Sequence, residues 1–327
     1  MSNMNTTLTQ LADLLKDNDL LVNETVMLGR SSKDFICGAD CDSRVADHNH
    51  LFICKGNAFK SAYLTAAVDA GAAAYMCDES HAAELASVAP NTPALVVPDD
   101  KLRHAMALIS AEAWGHPDHD LTIIGITGTK GKSTASYMLR SIFDVGPDGR
   151  GEEGSVASVI GSIKTYDGIE CLESHNTTPE SPDLWRHLAH ARTSRHNPVV
   201  MEISSQALKY ERVDGLRLSA GCFLNIGHDH ISPREHPTFE DYFASKLRIF
   251  SHTNTAVINL GTSHVADVIS AASRCSRLIG FSADGPYSQG HNAVIWADHT
   301  TSEEGTVSFI AHTPTWTGRF LLCMPGL

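Results

Sequence analysis

IIGITGTKGKSTASYML, residues 123–139, runs from an apolar strand through a glycine-rich turn into a helix. Glycines in such a turn let successive backbone N–H groups face one anion, and the helix start adds its dipole and its free N–H groups. Lys132 would then reach the β- and γ-phosphates of a nucleotide, and the Ser133 hydroxyl would bind Mg²⁺. This is the short GxxGKS form, because Ile126 stands where the longer pattern has glycine. We therefore predict a nucleotide phosphate site, against the alternative of an ordinary turn, formed by Thr127, Gly128, Thr129, Lys130, Gly131, Lys132, Ser133 and Thr134.

The segments on either side of this loop alternate between helix and strand patterns. Before it, helices are predicted at 6–22, 61–71 and 100–114, and strands at 50–54, after Gly71, and at 94–98. After it, strands are predicted at 121–127, 155–161, 198–204, 218–226 and 255–260, and helices at 133–143, 181–192 and 239–250. The fold class is therefore α/β. A small N-terminal α/β domain (1–115) and a polar linker (116–120) precede a mostly parallel sheet with helices on both faces (121–327).

Composition limits the classes of function. The chain has 327 residues, is 42% hydrophobic and carries a formal charge of −13, which disfavours nucleic acid and anionic membrane surfaces as partners. No apolar run approaches the ~20 residues of a membrane span, and the N-terminus has no basic segment of a signal peptide. Eight cysteines form no CxxC pair. We expect a reduced, cytoplasmic enzyme that binds phosphates through a local loop and a divalent cation.

Polar residues follow two later strands of the predicted sheet. Glu202 ends an apolar run in PVVMEISSQ, and CFLNIGHDH (222–230) brings His228, Asp229 and His230 to a strand exit. Ligands of open parallel sheets gather at the carboxyl ends of the strands, so a carboxylate and an imidazole here could hold a second Mg²⁺. The alternatives are a helix-capping acid and a solvated loop. Lys246, in the helical segment YFASKLRIF, is by composition alone a surface lysine.

Several motifs occur together and in a specific order. They are CDSR (41–44) with LFICKGNAF (51–59), TGTKGKST (127–134), HNTTPES (175–181), MEISSQALKYERVDG (201–215), and FLNIGHDHIS (223–232) with FEDYFASKLRIF (239–250). In these motifs the chain resembles the Mur ligase family, and within it the MurE branch. Lys130, Gln206 and Tyr210 depart from the family's usual Asn, His and Gln, and the turn at 232–237 is slightly longer.

The resemblance implies ATP-dependent amide-bond formation in peptidoglycan precursor synthesis. The free carboxylate of UDP-MurNAc-L-Ala-D-Glu would form an acyl phosphate, and an amino acid amine would displace the phosphate. The implied cofactors are ATP, two Mg²⁺ ions and a CO₂-derived carbamate on Lys246. The implied catalytic residues are Lys132, Lys246, Glu202 and His230, and the implied metal ligands are Ser133, Glu202, His230 and Lys246. Substrate binding is implied for Ser43, Asn57, Ala58 and Phe59 at the uridine end, and for Asn176, Thr177, Thr178, Ser204, Tyr210 and Arg212 along the muramoyl part.

The resemblance also implies a third domain. Family members continue beyond an LPG-type segment into a C-terminal ligase domain, and this sequence ends at LCMPGL (322–327). We therefore expect the first two domains of a truncated ligase, whose C-terminal domain is absent here or separately encoded. These two domains would bind the ligands, but turnover would need the third domain. Two alternatives remain: another amide ligase of the Mur or folylpolyglutamate type, and a non-catalytic nucleotide-binding remnant.

Overall fold

A computed structural model describes residues 6–22, 35–56, 58–145, 156–229, 231–233, 235–303 and 305–323. The helices are α1 (Leu8–Asp17), α2 (Ser61–Asp69), α3 (Glu79–Val88), α4 (Leu102–Ala113), α5 (Lys132–Val145), α6 (Ser181–Ser194), α7 (Ser205–Lys209), α8 (Phe239–Leu247) and α9 (Val265–Ala272). Short 3₁₀ turns occur at Asp99–Lys101, Pro117–His119 and Arg248–His252.

The strands form two main sheets and two short pairs. They are β1 (Thr6–Thr7), β2 (Phe35–Ile36), β3 (Gly38–Asp40), β4 (His50–Ile53), β5 (Ala74–Asp78), β6 (Ala94–Val97), β7 (Ile123–Thr127), β8 (Ser158–Ile160), β9 (Lys164–Tyr166), β10 (Cys171–Glu173), β11 (Val199–Glu202), β12 (Leu218–Phe223), β13 (Thr253–Asn259), β14 (Arg277–Ser282), β15 (Tyr287–Ser288), β16 (His291–Asn292), β17 (Ile295–Glu303), β18 (Thr306–His312) and β19 (Thr317–Leu322).

The N-terminal sheet is parallel and small, in the order β3-β4-β5-β6. Successive side chains of a strand point to opposite faces, and both faces here are apolar. Leu51 and Ile53 join a buried cluster with residues of α1 and α4, whereas Phe52 and Cys54 join one with residues of α2 and α3. This two-sided burial explains the short apolar runs in the sequence.

The second sheet has the order β10-β9-β8-β11-β7-β12-β13-β14-β17-β18-β19. The seven central strands, β8-β11-β7-β12-β13-β14-β17 in spatial order, pair in parallel. The outer strands, β10 and β9 at one edge and β18 and β19 at the other, pair antiparallel. Strand β7 lies between β11 and β12, so the glycine-rich loop that follows it leaves the interior of the sheet. The prediction of an α/β fold with a mostly parallel sheet is confirmed.

Some predicted boundaries were wrong. The first helix begins only at Leu8, because Thr7 caps it: Thr7 Oγ1 accepts from the Gln10 amide N–H at 3.2 Å. The helix predicted at 239–250 ends at Leu247 and continues as a 3₁₀ turn. The sequence patterns did not predict α3, α7, α9, the strands β1 to β3, the β9–β10 hairpin, or β14 and the strands that follow it.

The polar segment at 116–120 is packed at Pro117 and Asp118 and exposed at His119 and Asp120. Asp118 is buried and accepts from the Arg217 amide N–H at 3.1 Å, and the Arg192 guanidinium donates to the Gly115 carbonyl at 2.9 Å. Helix α6 contacts α4 and β3 while its Trp185 lies in the core of the large sheet. The domain division at this segment stays a prediction. Within the described ranges, no helix has the length and apolarity needed to cross a membrane.

Candidate active site

The glycine-rich loop is held in place by the next strand exit. The Thr129 amide donates to the Asn225 carbonyl at 3.0 Å, and the Lys130 amide donates to Asn225 Oδ1 at 2.9 Å. Asn225 Nδ2 returns a hydrogen bond to the Lys130 carbonyl at 3.0 Å. Gly128 allows a close approach, because a Cβ there would lie 3.0 Å from the Leu224 Cβ. Asn225, which follows β12, therefore holds the loop through three hydrogen bonds.

Two lysines from different helices, α5 and α8, meet at this loop. Lys132 Nζ donates to the Gly128 carbonyl at 3.0 Å, and Lys246 Nζ, from α8, donates to the same oxygen at 2.9 Å. Lys246 is 1% exposed, so the alternative of a surface lysine is wrong. Burial, and then the nearby charge of Lys132, lower the pKa of Lys246 to about 7. Burial also lowers the pKa of Lys132.

Among the described residues, neither ammonium group has a carboxylate oxygen within salt-bridge distance, although the charges of Glu202 and Asp229 favour the ammonium form of Lys132 and that of Asp229 favours it in Lys246. Each one instead donates to backbone carbonyls, with Lys132 also reaching the Thr129 carbonyl at 3.3 Å. Buried cations are stabilised by anions or by coordination. The arrangement therefore favours an anionic ligand at the loop.

Glu202 supplies the carboxylate beside the loop. It is fully buried at the end of β11, and its Oε2 accepts from the Ser133 hydroxyl at 3.0 Å. Ser162 donates its amide N–H to Oε1 at 2.9 Å and its hydroxyl to Oε2 at 3.2 Å. A Cβ at Gly161 would lie 2.3 Å from Glu202 Oε1, so glycine at this position makes room for the carboxylate. Ser204, and not Glu202, caps α7, so the capping alternative for Glu202 is wrong.

This donor set fits Mg²⁺. The Ser133 hydroxyl, on the first turn of α5, and the Glu202 carboxylate, at the end of β11, bring two oxygen atoms together, and a hard cation prefers oxygen ligands. Thr127 Oγ1, at the end of β7, is buried and has no hydrogen-bond partner among the described residues. Thr134 lies exposed on the first turn of α5.

At the exit of β12, the described residues His228 and Asp229 lie next to Phe239 and Lys130. The His228 ring stacks on Phe239 with centroids 4.6 Å apart, and Asp229 lies 3.7 Å from the exposed Lys130 ammonium. His230, the predicted metal ligand, lies outside the described residues. Thr129 Oγ1, which accepts from the Tyr242 hydroxyl at 3.1 Å, ties the loop to α8.

Four of the predicted substrate residues come together next to Glu202. Thr178 Oγ1 donates to the Glu202 carbonyl at 3.0 Å and accepts from the Ser204 amide at 3.0 Å. The Ser162 and Thr177 hydroxyl oxygens lie 3.0 Å apart, and Arg212 donates to the Thr178 carbonyl at 3.1 Å. Asn176 is exposed. The HNTTPES segment therefore forms one wall beside the phosphate loop.

Glu180 is a partly buried charged residue beside the candidate site that the sequence patterns did not indicate. Its carboxylate lies 2.7 Å from Lys55 Nζ, 2.7 Å from the Arg212 guanidinium and 3.6 Å from that of Arg103. Arg103 also lies over the Tyr210 ring, 4.9 Å from its centroid. Burial would raise the pKa of Glu180, but Lys55 and Arg212 outweigh it and lower that pKa. Glu180 and its three cations, Lys55, Arg103 and Arg212, form what we call the junction. The only sequence signal for this junction was the position of Glu180 directly after the NTTP motif.

A cavity of about 900 Å³ opens on the N-terminal side of this junction. It contains the predicted residues Ser43, Ala58 and Phe59, and Asn57 lies outside the described residues. The other lining residues are Cys41, Asp42, Arg44, Lys55, Gly56, Tyr63, Arg103 and Asp183. Its volume is in the range of small-ligand sites. A second cavity, of about 500 Å³, lies beside the starts of β12 and β13 and contains none of the predicted site residues.

Comparison with known proteins identifies the class. Residues 126–322 match the Mur ligase middle domain, and the chain belongs to the Mur ligase family, as the sequence motifs predict. A UDP-N-acetylmuramyl-tripeptide synthetase of Bifidobacterium longum is 38% identical over 273 residues, which are 80% of this chain and 50% of that protein. A UDP-N-acetylmuramoyl-L-alanyl-D-glutamate--L-lysine ligase of Streptococcus agalactiae is 38% identical over 68% of this chain and 43% of its own length. The chain therefore spans about half the length of these curated relatives.

Solved structures confirm the fold. A UDP-N-acetylmuramoyl-L-alanyl-D-glutamate--2,6-diaminopimelate ligase superposes with a TM-score of 0.67 at 19% identity, over 97% of this chain and 59% of that one. MurF from Acinetobacter baumannii superposes with a TM-score of 0.62 at 18% identity, over 100% of this chain and 62% of that one.

Proposed function

We propose that this chain carries the ATP-phosphate and muramoyl-substrate sites of a ligase that adds an amino acid to UDP-MurNAc-L-Ala-D-Glu. One observation carries the proposal: the Lys132 and Lys246 ammonium groups converge on one carbonyl, beside the Ser133–Glu202 oxygen pair. The names of the relatives above, among them a tripeptide synthetase and an L-lysine ligase acting on the alanyl-glutamate precursor, support the choice of substrate.

Charge is the main obstacle to this reaction. The substrate carboxylate must approach the γ-phosphate of ATP, and both groups are anionic. Lys132 would orient the phosphate oxygens, while Ser133 Oγ and Glu202 Oε2 would hold the metal. Mg²⁺, when bound, would withdraw charge from the γ-phosphate. The carboxylate oxygen would form a bond to phosphorus as the bond to ADP breaks, and the amino acid nitrogen would then displace phosphate from the acyl carbon and lose a proton.

Lys246 would act as a carbamate that binds metal. Its amine is buried and close to a second lysine, and both conditions favour the neutral form that reacts with CO₂. The carbamate would replace a buried cation with anionic oxygen, which suits a second Mg²⁺. His230 would complete the metal ligands, as its place in the family motif implies.

The muramoyl substrate would follow a path of contacts from the 900 Å³ cavity to the phosphate loop. Its uridine end would lie against Ser43, Asn57, Ala58 and Phe59. From the cavity, Arg103 contacts Glu180, Arg212 joins Glu180 to Thr178, and Thr178 contacts Glu202. Asn176, Thr177, Ser204 and Tyr210 line the same path by resemblance. This path of contacts suits an extended ligand with a nucleotide at one end and a reactive carboxylate at the other.

The domain division follows from the same proposal. Residues 1–115 would bind the uridine end, residues 116–120 would link the two parts, and residues 121–327 would bind ATP. We further propose that turnover needs a part of the enzyme that corresponds to the unmatched half of the relatives, in the same polypeptide or in a separately encoded one. The reaction would occur in the cytoplasm.

Calorimetric titration tests the proposal on the 327-residue chain. We expect binding of UDP-MurNAc-L-Ala-D-Glu, and Mg²⁺-dependent binding of a non-hydrolysable ATP analogue. Lys132→Ala should weaken the analogue at least about 10-fold, because a charge-assisted contact contributes about 1.5–3 kcal/mol. Lys16→Ala, which removes an exposed lysine of α1, is the matched control.

Two outcomes would redirect or end the proposal. Preferential binding of the UDP-MurNAc-tripeptide would favour a MurF-type ligase. Failure of both ligands to bind a folded chain would overturn the assignment of the site.

A further inference from the structure

We propose that Asp167, Glu170, His187 and His190 form a structural zinc site. Asp167 and Glu170 lie in the turn of the β9–β10 hairpin, and the two histidines lie one turn apart on α6. One ligand atom from each residue lies within 4.8 Å of all the others. This cluster is on a different element pair from the phosphate loop and is independent of the proposed ligase function.

The distances suit a tetrahedral ion. Asp167 Oδ2 lies 2.7 Å from His187 Nδ1 and 3.0 Å from His190 Nδ1. Glu170 Oε2 lies 3.7 and 4.0 Å from the same two nitrogens. Tetrahedral zinc with bonds of about 2.0–2.1 Å places neighbouring ligand atoms about 3.3 Å apart. The observed separations lie on both sides of that value, so small side-chain adjustments would bring all four atoms into coordination.

The surroundings hold the ligands in orientation. Asp167 Oδ1 accepts from the amides of Ile169 at 2.9 Å and Glu170 at 2.7 Å, which leaves Oδ2 directed to the imidazoles. The Arg186 guanidinium contacts Glu170 Oε2, so on metal binding Glu170 would share that oxygen or turn its second oxygen inward. Such outer contacts on ligating carboxylates are typical of metal sites.

The ligand chemistry selects the ion. Two imidazole nitrogens and two carboxylates suit zinc, whereas Mg²⁺ and Ca²⁺ prefer oxygen ligands. Two carboxylates with neutral histidines also balance the charge of a divalent ion. Asp167 and His187 are buried, but Glu170 is 32% exposed and His190 is 21% exposed, so the site is open to solvent on one side.

The site would fasten the hairpin to α6. At the root of the hairpin, Ser162 contacts Thr177 and the carboxylate of Glu202, and at its tip the zinc would tie the turn to α6. Since α6 also packs against the small N-terminal sheet, the ion would fix the wall of the candidate active site to the helix that joins the two sheets.

Metal analysis of the whole chain tests the proposal. After chelation and equilibration with Zn²⁺, we expect one tightly bound zinc per chain and an unfolding midpoint raised by about 4 °C at saturating metal. Co²⁺ should give the visible absorption of a tetrahedral site. His190→Asn should lose the metal, because asparagine keeps an N–H donor toward Asp167 but does not ligate. Glu170→Gln, at the most exposed ligand, serves as a second variant that does not depend on the packing of His190.

Two controls separate this site from other zinc ligands. His119→Asn changes another histidine group of the chain, His116–Asp118–His119, and Cys171→Ser removes the exposed thiol next to Glu170. Both variants should keep one zinc. Substoichiometric zinc in the wild type, full zinc in His190→Asn and Glu170→Gln, or loss of zinc in either control would overturn the proposal.

Discussion

A methyl group at Gly161 is expected to displace the Glu202 carboxylate. In Gly161→Ala the new Cβ would lie 2.3 Å from Oε1, 3.0 Å from Cδ and 3.1 Å from Cγ of Glu202. The carboxylate would have to move by about 1 Å to restore normal contact. It is fully buried and held by Ser133 and Ser162, so this movement stretches its hydrogen bonds.

The expected cost has two parts. Overpacking of a rigid interior costs about 1–3 kcal/mol, and weakened hydrogen bonds to a buried charge add to it. We expect the free energy of unfolding to fall by about 2–4 kcal/mol in urea titrations. Because Glu202 is a proposed Mg²⁺ ligand, Mg²⁺-dependent affinity for the ATP analogue should also fall at least about 10-fold, equivalent to 1.4 kcal/mol.

Gly227→Ala is the matched control. Gly227 lies beside the same loop, a Cβ there meets nothing within 4 Å, and its backbone is not left-handed. Its stability should stay within about 0.5 kcal/mol of the wild type. Wild-type stability and affinity in Gly161→Ala would refute the reasoning about Glu202. If Gly161→Ala does not fold, Glu202→Gln, which keeps the side-chain shape, tests the metal role alone.

Three further predictions concern charged residues. Lys246→Met should raise the free energy of unfolding at pH 7 by about 1–3 kcal/mol in urea titrations, because it removes a buried cation whose pKa falls from 10.5 to about 7. This gain exceeds the loss of the bond to Gly128 and of the cation–π contact with the Tyr242 ring. An unchanged or lower stability would contradict this. In the complete enzyme Lys246→Ala should abolish ligation. Activity should partly return when glutamate replaces the lysine (Lys246→Glu) or when short carboxylates are added to Lys246→Ala. Wild-type turnover in Lys246→Ala would exclude the carbamate. Glu180→Gln should lower stability at neutral pH by about 2 kcal/mol, since three cations lose their partner. The pKa of Glu180 is lowered in the fold, so this stability is present above its usual value of 4.5 and is lost as the pH falls through the folded-state pKa. The difference between wild type and Glu180→Gln should therefore shrink in acid.

Asp183→Asn is the control for Glu180→Gln. Its carboxylate is 38% exposed and lies 3.3 Å from Arg186, so its loss should change stability by less than about 1 kcal/mol. Equal effects of the two substitutions would show that Glu180 has no special role at the junction.

Local patterns predicted the parts of the site that are close in sequence. The apolar strand, the glycines and Lys132 are consecutive, so the loop could be read directly from residues 123–139. The burial of Lys246 could not be derived from its own helix, because its partner is the Gly128 carbonyl 118 positions earlier. Only the order of motifs, through the family resemblance, pointed to it.

Other features lacked any local signal. The cations around Glu180 come from three separate segments, and no spacing rule joins them. Strand β17 is largely exposed and polar, with a register shift between Asp298 and Thr301, so it has no clear apolar alternation. The four zinc ligands gave no motif either, because two of them belong to a hairpin that the sequence analysis did not predict.

The central position of β7 affects the order in which the molecule can form during synthesis. The Lys130 amide reaches its partner on Asn225 only 95 residues further along the chain, and Gly128 meets Lys246 after 118 residues. At about 5–20 residues per second, roughly 6–24 s separate the synthesis of Gly128 from that of Lys246. The apolar strand IIGIT gains its parallel neighbours β11 and β12 only when residues 199–202 and 218–223 have been made, and pairings of such long range form slowly. The nucleotide loop can therefore make its full set of contacts only after α8 has been synthesised, well after the loop itself.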